Sequence, residues 1–82
     1  TGNFEELKKI LLETGMDKKD VDELEIIINN DNPNPTNKEF GTKVKSWVGN
    51  MLGKAMDNSW KVGLGAAGKL LADVITRYYG WK

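Results

Sequence analysis

At 82 residues the chain is one small domain, near the lower size at which a single apolar core suffices. It has no cysteine, which excludes disulfides and thiolate metal sites, and no histidine, which removes the commonest general base, metal ligand and pH switch. Formal net charge is zero, but residues 1–35 carry −5 and residues 36–82 carry +5. The preferred reading of that asymmetry is an acidic helical pair docked on a basic one, and the alternative is a basic binding face.

Thr1 to Thr14 is an amphipathic pattern interleaved with Glu5, Glu6, Lys8, Lys9 and Glu13, unlike a signal peptide. No run reaches the roughly 18 apolar residues of a membrane span. The chain starts at Thr1 rather than Met, and the reading is a single helical domain over 1–82, taken from a longer protein.

The first helix is expected over about 3–14. Asn3 is suited to cap it, Glu5 and Glu6 sit where the helix dipole favours negative charge, and Phe4, Leu7, Ile10 and Leu11 form one apolar stripe. Gly15 reads as its stop. The second helix is expected over about 16–29, with Asp17 as its cap and Met16 placed to staple against Val21. Val21, Leu24, Ile27 and Ile28 then repeat at helical spacing. The β-branched Ile26-Ile27-Ile28 run permits a strand, but the helical phase before it favours a helix.

Asn29 to Thr36, with two prolines and four asparagines, is a loop. Thr36 and Glu39 match a capping box, so the third helix is expected to begin at 36 and run to 57. Phe40, Val44, Trp47, Val48, Met51, Leu52 and Ala55 share one side of it. Trp60, Leu64, Ala67, Leu71, Val74, Ile75 and Tyr78 also cluster, but roughly 165° away if the helix continued unbroken. The chain therefore turns at Asp57-Asn58-Ser59, and a fourth helix follows over 59–79 with Ser59 as its cap. The expected fold is all-α: a small four-helix bundle with two short N-terminal helices packed on a long C-terminal helical hairpin.

The glycines inside the two long helices each cost on the order of 1 kcal/mol against alanine. Gly49 and Gly53 share a face, and Gly63, Gly65 and Gly68 crowd one side of the fourth helix with Ala66, Ala67 and Ala72. Close packing inside the bundle is the preferred explanation. A surface kept flat for a partner helix or a membrane is the alternative.

No residue is assigned a catalytic, cofactor-binding or metal-binding role. Ser46 has no histidine to activate it, and Ser59 is explained as a cap. Asp17, Asp20, Asp22, Glu23 and Glu25 read as a solvated face without the glycine and spacing of a calcium loop. Gly63 to Gly68 matches GxGxxG, yet a dinucleotide site needs that motif after a strand. Lys43, Lys54, Lys61, Lys69 and Arg77 are the candidates for nucleic-acid contact. The last three wind round their helix, and nucleic-acid binding is only the second alternative. A membrane interface is the first alternative, drawing on Trp47, Trp60, Tyr78, Tyr79 and Trp81 with flanking lysines.

From Leu7 to Gly80 the chain resembles the C-terminal region of AbiTii-type proteins, a bacterial group associated with abortive infection against phage. The resemblance rests on Leu11-Leu12-Glu13-Thr14-Gly15-Met16, on Asp20-Val21-Asp22-Glu23-Leu24 and the Pro/Asn linker, and on Gly41, Val44, Trp47, Val48 and Gly53-Lys54-Ala55. Its most specific parts are Trp60-Lys61-Val62-Gly63-Leu64-Gly65-Ala66-Ala67, running into Leu70-Leu71, and Tyr78-Tyr79-Gly80. The family's larger N-terminal region is missing here. The resemblance implies a cytoplasmic bacterial module in a phage-defence protein that acts through protein contacts or self-association, without an enzymatic role or cofactor. It carries over no site residues, so the binding residues stay unassigned.

Overall fold

The computed structural model describes residues 3–81, which form four helices: α1 (Phe4–Glu13), α2 (Lys18–Asn30), α3 (Thr42–Met56) and α4 (Leu64–Tyr79). The described residues contain no strand, only an isolated antiparallel bridge between Asn34 and Glu39. α1 packs on α2 and α4, and α3 packs on the same two helices. The Cα radius of gyration is 11.9 Å, close to the roughly 11.7 Å of a compact chain of this length.

The first two helices begin and end largely where local chemistry places them. Asn3 Oδ1 accepts from the Glu5 amide at 2.9 Å and caps α1. At its far end Gly15 has φ +88°, a conformation that an L side chain strains, and its amide donates to the Leu12 carbonyl. Met16 and Val21 are both buried in the core, as a hydrophobic staple requires. Asp17 holds the N-cap position by its backbone: its carbonyl accepts from Asp20 and Val21, while its side chain makes no capping bond. Ile26, Ile27 and Ile28 are helical.

The third helix starts six residues later than the capping-box pattern suggests. Asn34 wins the competition for that segment. Its Oδ1 accepts from the amides of Thr36 (3.1 Å) and Asn37 (3.2 Å), and its backbone pairs with that of Glu39 in both directions. Lys38 takes φ +55°, which no helix tolerates. With Thr36 and Glu39 committed to this turn, no capping box is left to start a helix.

The true start of α3 is built by a residue eleven positions upstream of the helix. Asp31 reaches across the loop, and its carboxylate accepts from the amides of Lys43 (3.3 Å) and Val44 (3.0 Å). A carboxylate at a helix N-terminus satisfies free amides and meets the positive end of the dipole. Gly41 occupies the N-cap position, and a Cβ built on it would fall within the Asp31 carboxylate. Only glycine lets that carboxylate approach.

The break between α3 and α4 lies at Asp57-Asn58-Ser59, but α4 begins at Leu64 rather than Ser59. Asn58 has φ +69°, and Asp57 Oδ1 accepts from the Ser59 amide at 2.9 Å. The Trp60 amide then donates back to the Lys54 carbonyl, and that of Val62 to the Trp60 carbonyl. This tight path carries the backbone out of helical geometry until Leu64. It swings Trp60 into the core from a non-helical segment.

Trp47 and Trp60, each 2 % exposed, are the largest side chains of the core. Around them lie Leu7, Leu11, Val21, Leu24, Met51 and Leu71. At the C-terminal end of α4, Tyr79 stacks on Trp81 (4.7 Å between centroids) and tilts against Phe40 (6.1 Å), while Tyr78 meets Phe4 edge-on. The Tyr79 hydroxyl is buried without a hydrogen-bond partner. Burial, and secondarily the negative charge of Asp31, push its ionisation above the ordinary tyrosine value.

The glycines of the long helices do not serve close packing. A Cβ at Gly49, Gly53 or Gly65 would meet nothing within 4 Å, and at Gly68 only Leu52 Cδ2, at an ordinary 3.9 Å. Met51 and Leu71 belong to the shared core and Leu52 packs against it, so the expectation of glycine-mediated contact is overturned.

Two opposite outcomes are expected in urea denaturation. Gly41→Ala should lower stability by about 2 kcal/mol or more, because it displaces the Asp31 cap, whereas Gly49→Ala and Gly53→Ala should each raise it by about 0.5–1 kcal/mol. Absorbance at 295 nm should show a tyrosine ionising above about pH 10, and Tyr79→Phe should remove it. Because the folded value is raised, the associated stability is present below the unfolded value and lost as pH rises through the folded one. Tyr79→Phe should be neutral or stabilising, since it deletes a hydroxyl that forms no bond.

Candidate interaction surface

The outer side of the α3–α4 pair combines features that the core does not explain. Along α3, helical spacing places Lys45, Gly49, Leu52, Gly53 and Met56 on one side, away from the buried Val44, Trp47, Met51 and Ala55. Along α4 the corresponding side carries Leu64, Gly65, Gly68, Lys69 and Ala72. The proximity of Gly68 to Leu52 joins the two sides into one surface. Met56 is 68 % exposed and Leu64 45 %. Both lie one helical turn from that junction, toward the connection between the helices.

The surface is edged by both signs of charge, Lys45, Lys61 and Lys69 together with Asp57 and Asp73. α3 contains no carboxylate from Thr42 to Met56. Lys45 and Lys69 flank the surface, and Lys61 stands exposed in the connection. Asp57 is engaged with Ser59, whose hydrogen bonds hold its carboxyl below the usual carboxylate value. Asp73 lies about 40° further round α4 than Lys69.

Beneath the opposite side of α3, a polar tie holds that helix to α2. Asp20 is only 7 % exposed, and both its oxygens accept from Lys54 Nζ at 2.8 Å. Its backbone carbonyl accepts from Trp47 Nε1 at 3.1 Å. Lys54 and Trp47 are seven residues apart, two helical turns, so one face of α3 delivers both groups. Hydrogen bonding to Asp20 holds the Lys54 ammonium above the ordinary lysine value. This ion pair joins the acidic half to the basic half, and Asp17 and Glu23 of the acidic half also act on the Lys54 charge. Lys18 and Lys8 both pair with Asp22, inside the acidic half.

The structure separates the residues considered for other roles. Trp47 and Trp60 are in the core, and Trp81, Tyr78 and Tyr79 belong to the ring cluster, so the aromatic set offered for a membrane interface is largely occupied internally. Trp60 Nε1 donates to Thr14 Oγ1 at 3.2 Å, tying the connection to the end of α1. Of the basic residues considered for nucleic acid, Lys54 is committed to Asp20. Gly63 to Gly68 straddles a helix start that no strand precedes. A shallow hollow between α2 and α3, bordered by Glu23, Ile27, Lys43, Ser46 and Trp47, is open to solvent. Among the described residues no group of three or more Asp or Glu side chains is placed to hold a metal ion, and no helix is long and apolar enough to cross a membrane.

Helical spacing puts Leu64 in the core stripe of the fourth helix and Met56 in no stripe. Exposure could not be seen without knowing which arc of each helix faces its neighbours. No protein-family model, curated protein or solved structure matches the chain.

Lys54→Met should cost about 1–2 kcal/mol at neutral pH, less than a fully buried pair because the lysine side chain is 40 % exposed. The folded value of Lys54 is raised, so its contribution is complete below the ordinary lysine value near about 10.4 and fades as pH rises through the folded one. The difference between wild type and Lys54→Met in urea titrations should therefore narrow as pH rises beyond the ordinary lysine value.

Proposed function

We propose that this chain is a non-enzymatic helical interaction module, with the α1–α2 pair packed on the α3–α4 hairpin, whose outer surface contacts a protein partner. The observation that carries this reading is the pairing of exposed Met56 and Leu64 with glycines that no internal neighbour requires. Each helical glycine weakens its helix. A surface left at backbone level and edged by apolar side chains gives that cost a use, because a partner can approach closely. The resemblance to the AbiTii C-terminal region supplies the setting: a cytoplasmic bacterial phage-defence protein of which this is one domain.

The membrane alternative draws support from Lys45, Lys61 and Lys69 around Met56 and Leu64. Trp47 and Trp60 are already buried without lipid, so a shift in tryptophan emission would report poorly on membrane binding. Co-sedimentation with vesicles of phosphatidylcholine and phosphatidylglycerol is the cleaner measurement.

The decisive experiment places Gly53→Trp with Gly65→Trp in the full-length protein and measures phage plating. Both positions have open space for a side chain, so the melting temperature should change little. Plating efficiency on cells carrying the variant should rise about tenfold or more over wild type, as expected when a central interface contact is blocked. Undiminished protection by a normally folded variant would remove this surface from the function.

A further inference from the structure

We infer that the start of α3 is a two-position conformational device: when the Asp31 carboxylate leaves its seat, the helix lengthens upstream and begins at Asn37, capped by Thr36. The observed start depends on a single reach across the loop. Asp31 accepts from the amides of Lys43 and Val44, and only the bare Cα of Gly41 leaves room for it. The segment just upstream holds a second start signal. Thr36 and Glu39 stand at the spacing of a capping box, in which the threonine oxygen takes the amide three residues on and the glutamate reaches back to the threonine amide. In the observed form both residues are held in the Asn34 turn, whose Oδ1 accepts from the Thr36 and Asn37 amides. That turn also keeps Lys38 at φ +55°, a left-handed conformation that disfavours a side chain. The longer helix removes this strain.

The core does not oppose the change, because growth at the N-terminus leaves the register of α3 against α2 and α4 intact. Continued at 100° per residue, the longer helix sets Phe40 about 20° from Trp47 and about 40° from Val44, with Lys38 opposite Trp47. Phe40, which already packs against the core, therefore stays on the buried side. The chain also reaches. The added residues carry the helix start about 7.5 Å beyond Thr42, and an extended segment from Asp31 to Thr36 spans up to about 17 Å. Pro35 keeps the residue before it out of helical geometry, so the extension stops at Thr36. Two features hold the shorter form in place: the paired carboxylate bonds of Asp31, and Gly41, which would weaken the interior of the longer helix. The balance between the two starts thus turns on whether the Asp31 seat is filled.

The test is backbone NMR on the whole chain, reading the Cα secondary chemical shifts of residues 37–41. Two variants empty the seat by different routes: Asp31→Ala removes the carboxylate, and Gly41→Ala puts a methyl group where it stands. Wild type should show loop values at these positions. Each variant should move them to helical values, adding about one and a half turns to α3, while the shifts of residues 44–55 stay helical. Thr36→Ala, added to either variant, should return residues 37–41 toward loop values, because alanine caps poorly. Loop values at 37–41 in a folded variant, or helical values that Thr36→Ala leaves unchanged, overturn the inference. So does loss of the folded state in both variants, because the second start is what would hold α3 in place.

Discussion

The seating of the Asp31 carboxylate on the first amides of α3 is the constraint from which much of the structure follows. Two amides, one carboxylate and the missing side chain of Gly41 determine which residue begins the helix. Because the helix advances 100° per residue, a shift of its start would leave every later side chain pointing elsewhere only if the register against α2 and α4 also changed. The cap ties that register to the end of α2. It also closes the Asn-rich loop and brings Phe40, the residue before Gly41, against Tyr79 and Trp81.

From that start a connected set of polar contacts runs through the core. Trp47 reaches the Asp20 carbonyl and Lys54 the Asp20 carboxylate, both across the α2–α3 contact. The carbonyl of Lys54 holds the Trp60 amide, and the Trp60 indole reaches Thr14 at the end of α1. Large rings thus fill volume while their N–H groups are spent on named partners. A buried indole without such a partner would forfeit a hydrogen bond worth about 1 kcal/mol or more. The network links the end of α1, α2, α3 and the connection that precedes α4.

The α3–α4 outer surface stands apart from this network. No core residue needs its glycines, and its exposed Met56 and Leu64 have no internal neighbour that would hide them. A four-helix arrangement in which each helix touches two others leaves one arc of each free. On α1 and α2 that arc carries mixed charge, with Lys8, Lys18 and Asp22 already paired. On α3 and α4 it is small and apolar with charges of both signs at its edges, and it is the place where an external contact would change least inside the bundle.

Sequence alone determined the helical class, the number of helices and the first two helix starts, because period, caps and Gly15 are local properties. It also located the break at Asp57-Asn58-Ser59, since opposed stripes cannot share one straight helix. It did not reveal the true starts of α3 and α4. There a long-range carboxylate replaced a local capping box, and a backward turn placed Trp60 in the core without a helix beneath it. The role of the glycines was likewise undecided in one dimension, where small residues on one face fit a contact inside the bundle or a surface outside it. Only tertiary structure chose between these, because it alone says which arc of a helix meets a neighbour. At Gly49, Gly53 and Gly65 that neighbour is absent among the described residues.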